Sequence, residues 1–174
     1  MGLFDRHALP TALRSALAEA VGVGPRALPR VLAWAPTPVG AILALDDRLA
    51  ILSGAAWTFT PWHRVLSAGW DDSGRTFMWR SVDRPHALNT VAVTQPLRLP
   101  EAVRERVEQS IVARQNVVLG PSARGTLIGR RVLGGEGSDA VEWSIQPVKG
   151  VDMQRPEVAD AARLLIEAAR QDWA

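Results

Sequence analysis

The apolar positions of the chain follow two periods, and each period predicts a different kind of element. Helical spacing, with an apolar residue every three or four positions, occurs in residues 8–21, 100–114 and 156–173. The apolar stripes consist of Leu9, Leu13, Leu17 and Val21 in the first stretch, of Val103, Val107 and Ile111 in the second, and of Val158, Ala162, Leu165, Ala169 and Trp173 in the third. Proline suits the first turn of a helix, and it stands at the start of the second and third stretches. We therefore predict helices near the N-terminus, in the middle and near the C-terminus.

The segments between these helices have the pattern of short strands separated by turns. About six strands are predicted before the middle helix and two after it, at residues 30–35, 41–45, 48–53, 62–70, 76–82, 87–95, 126–133 and 140–148. A pair of aspartates at 46–47 separates two apolar runs, which is a typical hairpin signal. Tight turns rather than crossover helices join the strands, so the sheet should be mostly antiparallel. The predicted fold is α+β, with a bent sheet or roll closed by a helix.

The length of 174 residues fits one domain with a sizeable hydrophobic core. Within it we distinguish an N-terminal helical segment (1–27), a roll-like core (28–114) and an extension made of a hairpin and a helix (115–174). We expect all three parts to belong to a single domain.

The composition excludes several kinds of chemistry but does not identify a function. Lys149 is the only lysine, so nearly all the positive charge is carried by arginine, which stays protonated to very high pH. The sequence pI is therefore high, at about 10.3, although the formal net charge is only +2. The chain contains no cysteine, which excludes disulfides, thiolate catalysis and zinc sites that use sulfur. The charged residues near the start argue against a signal peptide, and no apolar run approaches membrane-spanning length. We expect a cytoplasmic protein that is not inserted in a membrane.

Tryptophan is concentrated in the stretch "WTFTPWHRVLSAGW", residues 57–70, which holds three of the seven tryptophans together with His63. If this stretch is extended, Trp62 and Trp70 face the same side, and Phe77 and Trp79 of the next strand can pair with a tryptophan opposite. Such aromatic pairs stabilise a sheet by roughly 0.2–1 kcal/mol each. The alternative is a platform on which Trp62 stacks bases of single-stranded nucleic acid, with His63 beside it. We favour the role in the sheet.

A second candidate surface is the segment from Arg114 to Arg131, which contains four arginines and no acidic residue. If Arg124, Arg130 and Arg131 converge, they could hold a phosphate or a carboxylate of a partner. The alternative is a solvated strand edge on which the cations discourage aggregation.

Motifs for catalysis, metals or cofactors are not recognisable in the sequence. No histidine stands in a metal-binding spacing, and no serine lies in a GxSxG elbow. The aspartate pairs at 46–47 and 71–72 fall where turns are predicted, and aspartate is common in turns for backbone reasons. We therefore expect a non-enzymatic protein without a cofactor or metal, although a site assembled only in space stays an alternative.

Several stretches resemble known proteins. The series "LPRVLAWAP", "AILALDDRLAIL", "TPWHRVLSAGWD", "LRLPEAVRERVEQSIV", "GRRVLGG", "VEWSIQPVKGVD" and "RPEVADAARLLIEAAR", within residues 28–172, resembles an uncharacterised family of small actinobacterial proteins. Residues 30–114 also resemble the bacterial pleckstrin-homology and GRAM-like rolls, through the strand pair ending in "DDRLAIL" and through Trp62 and Val65. The resemblance implies a domain that binds a partner or a lipid headgroup. In lipid-binding members the first loop is basic, whereas "PTPVG" carries no cation here, which argues against phosphoinositide binding.

These observations together predict a binding or adaptor module that recognises a partner protein. The partner is expected at an exposed sheet edge, which can accept an added strand, or at the face of Arg124 to Arg131. The candidate binding residues are Arg114, Arg124, Arg130, Arg131, Trp62 and His63. A weak nucleic-acid binder that uses the arginines 114–131 is the first alternative, and it predicts affinity that falls steeply with salt.

Overall fold

The computed structural model describes residues 8–24, 26–73, 75–134 and 140–173. These ranges form three α-helices, one short 3₁₀ turn (Trp62–Arg64) and ten strands. The elements in chain order are α1 (Thr11–Val21), β1 (Val31–Thr37), β2 (Gly40–Leu45), β3 (Arg48–Ser53), β4 (Ala56–Pro61), β5 (Val65–Asp71), β6 (Thr76–Ser81), β7 (Arg84–Ala92), α2 (Leu99–Ser110), β8 (Ile111–Gly120), β9 (Ala123–Arg131), β10 (Val141–Pro147) and α3 (Pro156–Trp173). The α+β class, the antiparallel pairing and the three helix positions are confirmed.

The described residues divide into two compact units. Unit 1 comprises those up to Glu108 together with Leu133 and Gly134, and unit 2 comprises Gln109–Val132 and the residues from Ala140 onwards. Whether the chain behaves as a single domain stays a prediction.

Unit 1 is built from two antiparallel sheets and the helix that follows them. The first sheet has the order β1-β2-β3-β4 and the second the order β5-β6-β7. Both sheets and α2 contribute to one hydrophobic cluster. Its fully buried members include Ile42 and Leu49 of the first sheet, Phe77 of the second, and Leu99 and Val103 of α2. The middle helix therefore closes the core between the sheets.

Helix α1 covers the opposite face of the first sheet, which explains why β2 and β3 are apolar on both sides. Leu17 of its predicted stripe is fully buried against Leu43 and Leu45. The helix ends at Gly22, which adopts a φ of 73°. The N–H of Val23 donates to the carbonyl of Ala18, so the end is a Schellman motif. A strand buried on both faces needs a continuous apolar run, and "GAILAL" supplies it.

Unit 2 is a three-stranded antiparallel sheet, of order β10-β9-β8, with α3 packed on one face. Val158 and Ala162 of α3 pack in one cluster with Val117 and Leu127. At Gly129 an added Cβ would come within 2.9 Å of the Trp143 ring, so only glycine fits beneath that indole.

Two predicted element boundaries are wrong. The middle helix ends at Ser110 rather than continuing to residue 114, and Ile111 begins the long strand β8. Helical spacing continues through Ile111, but its neighbour Val112 is also β-branched and the segment pairs with β9. Strands β4 and β8 were not predicted, so three described strands rather than two follow the middle helix, and residues 62–64 form a 3₁₀ turn instead of extended chain.

Candidate functional site

Trp62 and His63, the predicted aromatic binding residues, lie in the 3₁₀ turn between β4 and β5. Trp62 is fully buried in the core of unit 1, and its Nε1 donates a 2.9 Å hydrogen bond to the carbonyl of Leu45. His63 is 8% exposed. Because the Trp62 ring has no accessible face, its position fits the framework role and offers no platform for a base.

The four predicted arginines do not converge on one surface. Arg114, Arg124 and Arg130 share one face of the sheet in unit 2 by strand alternation, and Arg131 lies on the other face. Arg124 is exposed, and its Nη1 donates to the carbonyls of Gly120 and Ala123 at 2.8 and 3.2 Å. Arg131 is exposed as well, and its Nε donates to the carbonyl of Gln109. Only Arg114 and Arg124 are therefore exposed on a common face.

Arg130 differs from the other three because it is buried, with 2% of its surface exposed. Burial, with a smaller contribution from the charge of Arg114, lowers the pKa of the Arg130 guanidinium to about 10. A side chain so placed cannot bind a partner at the surface of the sheet, so the contiguous cationic face inferred from the sequence is reduced to two residues.

The aspartate pairs occupy turns, as the sequence indicates. Asp47 binds the guanidinium of Arg48 beside the β2–β3 turn. At the end of β5, Asp71 accepts hydrogen bonds from the backbone N–H and the hydroxyl of Ser73, and Asp72, the next residue, accepts one from Nε1 of Trp70. Among the described residues, no three histidine, aspartate or glutamate side chains are grouped so as to hold a metal ion. In the same residues, every helix is too short or too polar to cross a bilayer.

The candidate site that the structure reveals is an apolar cleft in unit 1. It lies between β5 and the first two turns of α2 and has a volume of about 190 Å³. Its lining residues are Ala68, Gly69, Trp70, Phe77, Pro100, Val103 and Arg104. Small-molecule pockets usually measure about 300–1,000 Å³, whereas a cavity of roughly 150 Å³ accommodates benzene. The cleft is therefore the size of a single apolar side chain.

The cleft is bordered by an aromatic pair across two strands, by a glycine and by a proline. Trp70 stands opposite Phe77 in the β5–β6 pairing, which confirms the predicted aromatic pair across the hairpin. Gly69, which precedes Trp70, has no side chain, and an added Cβ would meet no atom within 4 Å. Proline at position 100 belongs to the first turn of α2, where its missing N–H leaves no gap in the hydrogen bonding. Glycine within a strand often marks a place where a ligand or another backbone approaches closely.

The cleft also adjoins a free sheet edge. Among the described strands, β5 pairs on one side only, with β6. The other edges of unit 1 contain or end in a proline: Pro36 in β1, Pro61 in β4 and Pro85 in β7. Proline blunts an edge because it cannot donate to a new ladder. Strand β5 contains no proline, and its register with β6 is regular from Ser67 to Asp71.

Sequence reasoning identified part of this site and missed the rest. It placed Trp70 and Phe77 opposite each other, but the contribution of Pro100, Val103 and Arg104 depends on how α2 packs against β5. The signal available in the sequence was Gly69, a glycine inside an otherwise good strand pattern. No known protein-family model matches the chain, and neither the curated proteins nor the solved structures contain a significant match.

Proposed function

We propose that the protein is a non-enzymatic, cytoplasmic binding module that recognises an extended segment of a partner protein. The segment adds as a strand along β5 and places one apolar side chain in the cleft between β5 and α2. The observation that carries the proposal is the coincidence of a proline-free strand edge with an apolar cleft of about 190 Å³. Main-chain hydrogen bonds would supply affinity in this mode, and the cleft would supply specificity.

We also propose that unit 1 is a roll of the pleckstrin-homology kind. Four antiparallel strands are followed by three more and then by α2. Both sheets and the helix share one core, in which Trp62 and Val65, the residues that carry the resemblance, are fully buried. This arrangement supports a module that presents a groove beside its closing helix.

The charges around the cleft indicate the chemistry of the partner segment. Arg104 lines the cleft, and its side chain is 80% exposed although it pairs with Glu108. The other lining residues are uncharged. A segment with an apolar residue of leucine or phenylalanine size and an acidic residue next to it would complement this surface.

The test is a selection of peptides from a displayed random library on the full-length protein, followed by affinity measurements on Ala68→Leu. Ala68 lines the cleft, shares a face of β5 with Trp70 and is only partly buried, so a leucine there would extend into the cleft. Burying an apolar side chain contributes about 1.5–3 kcal/mol, which corresponds to roughly 10–100-fold in affinity. Because the leucine would occupy the space that this side chain needs, we expect Ala68→Leu to weaken the selected peptides by at least about tenfold.

Two variants serve as controls. Arg98→Gln, which lies outside the cleft, should bind the peptides like the wild type. Arg124→Gln tests the exposed arginine face of unit 2, where a peptide or a single-stranded oligonucleotide would also find cations. Binding that is lost in Arg124→Gln but retained in Ala68→Leu would overturn strand addition at β5. Selection of no peptide that binds the wild type more tightly than Ala68→Leu would overturn it as well.

A further inference from the structure

A second groove in unit 1 lies between the start of β1 and α2, away from the residues of the cleft. It has a volume of about 370 Å³ and is lined by Arg30, Val31, Leu32, Arg98, Glu101, Ala102, Glu105 and Arg106. The helical members recur every three or four residues, so they form one stripe of α2 facing β1. An adjoining cavity of about 200 Å³ is lined by Leu32, Ala33, Trp34, Leu97 and Arg98. Leu32 and Arg98 belong to both, so the two spaces form one continuous groove.

In the part of the chain that the structure describes, the three arginines of this groove have no acidic partner that neutralises their charge. Within the described residues, the guanidinium groups of Arg30, Arg98 and Arg106 take part in no hydrogen bond or ion pair, although two glutamates line the same groove. The Nε of Arg106 is buried without an acceptor. A buried donor that lacks an acceptor is rare in proteins and indicates a missing partner. An anionic oxygen is the acceptor that a guanidinium binds most strongly.

The backbone beside the arginines is strained. Leu97 adopts a φ of 50°, in the left-handed region that a leucine rarely occupies. It directly precedes Arg98 and lines the apolar part of the groove. Strain of this kind concentrates at ligand-binding sites, because it is retained where a side chain must be held in position. Arg98, the next residue, lines both the charged and the apolar parts of the groove.

We propose that this groove binds a small organic phosphate. The phosphate group is held by Arg98 and Arg106, with Arg30 beside them, and an aromatic or aliphatic group extends toward Trp34 and Leu97. Three arginines against two glutamates give the lining a net charge of +1 (3 − 2), which suits a single phosphate group better than a polyanion. The planar fork of arginine matches phosphate geometry, which favours bidentate contacts.

The test uses calorimetric titration of the full-length protein with phenyl phosphate, inorganic phosphate and phenol. Phenyl phosphate should bind, and phenol, which lacks the anion, should not. Arg98→Gln and Arg106→Gln should each weaken phenyl phosphate about tenfold or more, because each removes a charge-assisted contact. Arg104→Gln is the matched control: it lies on the same helix, pairs with Glu108 and lines the other cleft, so it should leave affinity unchanged.

A further variant separates the two parts of the groove. Trp34→Leu should weaken phenyl phosphate while leaving inorganic phosphate unaffected, and the retained phosphate binding shows that the variant is folded. A parallel arm with vesicles of phosphatidic acid distinguishes a lipid phosphate from a soluble one. Binding to vesicles alone that depends on Arg98 assigns the same site to a lipid headgroup. Equal losses in Arg98→Gln and Arg104→Gln, or no binding of any phosphate, would overturn the proposal.

Discussion

At the scale of single residues, Trp62 shows that the structural role of a side chain can be predicted from the sequence while the secondary structure that holds it is not. The sequence indicates that Trp62 and Trp70 belong to a sheet, and both lie against the core of unit 1. Trp62, however, is held by a turn rather than by a strand, and its Nε1–H satisfies a main-chain carbonyl of β2. That contact joins residues 17 positions apart, so no local pattern could predict it.

The first prediction concerns this hydrogen bond. Trp62→Phe keeps an aromatic ring but leaves the carbonyl of Leu45 without its donor, so the free energy of unfolding should fall by about 1–3 kcal/mol. Trp173→Phe, at a tryptophan that is 51% exposed, is the control and should cost less than about 0.5 kcal/mol. Chemical denaturation of both variants measures the difference. Equal losses would show that the Nε1–H contributes nothing.

The second prediction concerns the buried cation Arg130. Burial lowers the pKa of its guanidinium in the folded protein to about 10, below its ordinary value in the unfolded chain, so at alkaline pH the unfolded chain binds the proton more tightly than the folded one. The free energy of unfolding should therefore rise with pH through this window, by about 1 kcal/mol from about pH 9 to about pH 11. Arg130→Met lacks the group and should lose this part of the rise. Parallel pH profiles for wild type and variant would contradict the lowered pKa.

At the scale of elements, the periodicity of apolar residues predicted the helices correctly wherever only one face of the helix is buried. The stripes of α1 and α3 are confirmed at Leu17, Val158 and Ala162, which are buried, whereas Trp173 at the end of the α3 stripe is 51% exposed. Periodicity failed at the junction of α2 and β8, where helical spacing and β-branched residues overlap at Ile111. There the outcome depends on pairing with β9, which supplies hydrogen bonds from a segment more than ten residues away. The cleft was missed for the same reason.

The third prediction concerns the end of α1. Gly22 lies at a φ of 73°, and a side chain in the left-handed region costs roughly 1–2 kcal/mol. Gly22→Ala should therefore lower the melting temperature. Gly24→Ala is a matched control in the same loop, since Gly24 is not in that region and an added Cβ meets no atom within 4 Å. A Gly22→Ala protein as stable as Gly24→Ala would contradict the helix end described above.

At the scale of the whole molecule, the described chain presents two kinds of surface in unit 1 on either side of α2. One is an apolar cleft beside a free strand edge, and the other is a groove with three arginines. The arginines that the sequence brings to attention, from Arg114 to Arg131, are close in the chain but are divided between two faces of a sheet. Arg30 is distant in the chain from Arg98 and Arg106, and the packing of β1 against α2 brings the three together. Closeness in sequence was therefore a poor guide to convergence in space.

The central claim is that β5 accepts a partner strand, and amide hydrogen exchange tests it most directly. The full-length protein is compared with and without a saturating peptide from the library selection. Strand addition should slow the exchange of amides in Ala68–Trp70, because the new ladder supplies acceptors to the free edge of β5. Protection confined to β8 or to the face of Arg124, with Ala68–Trp70 unchanged, would contradict the claim.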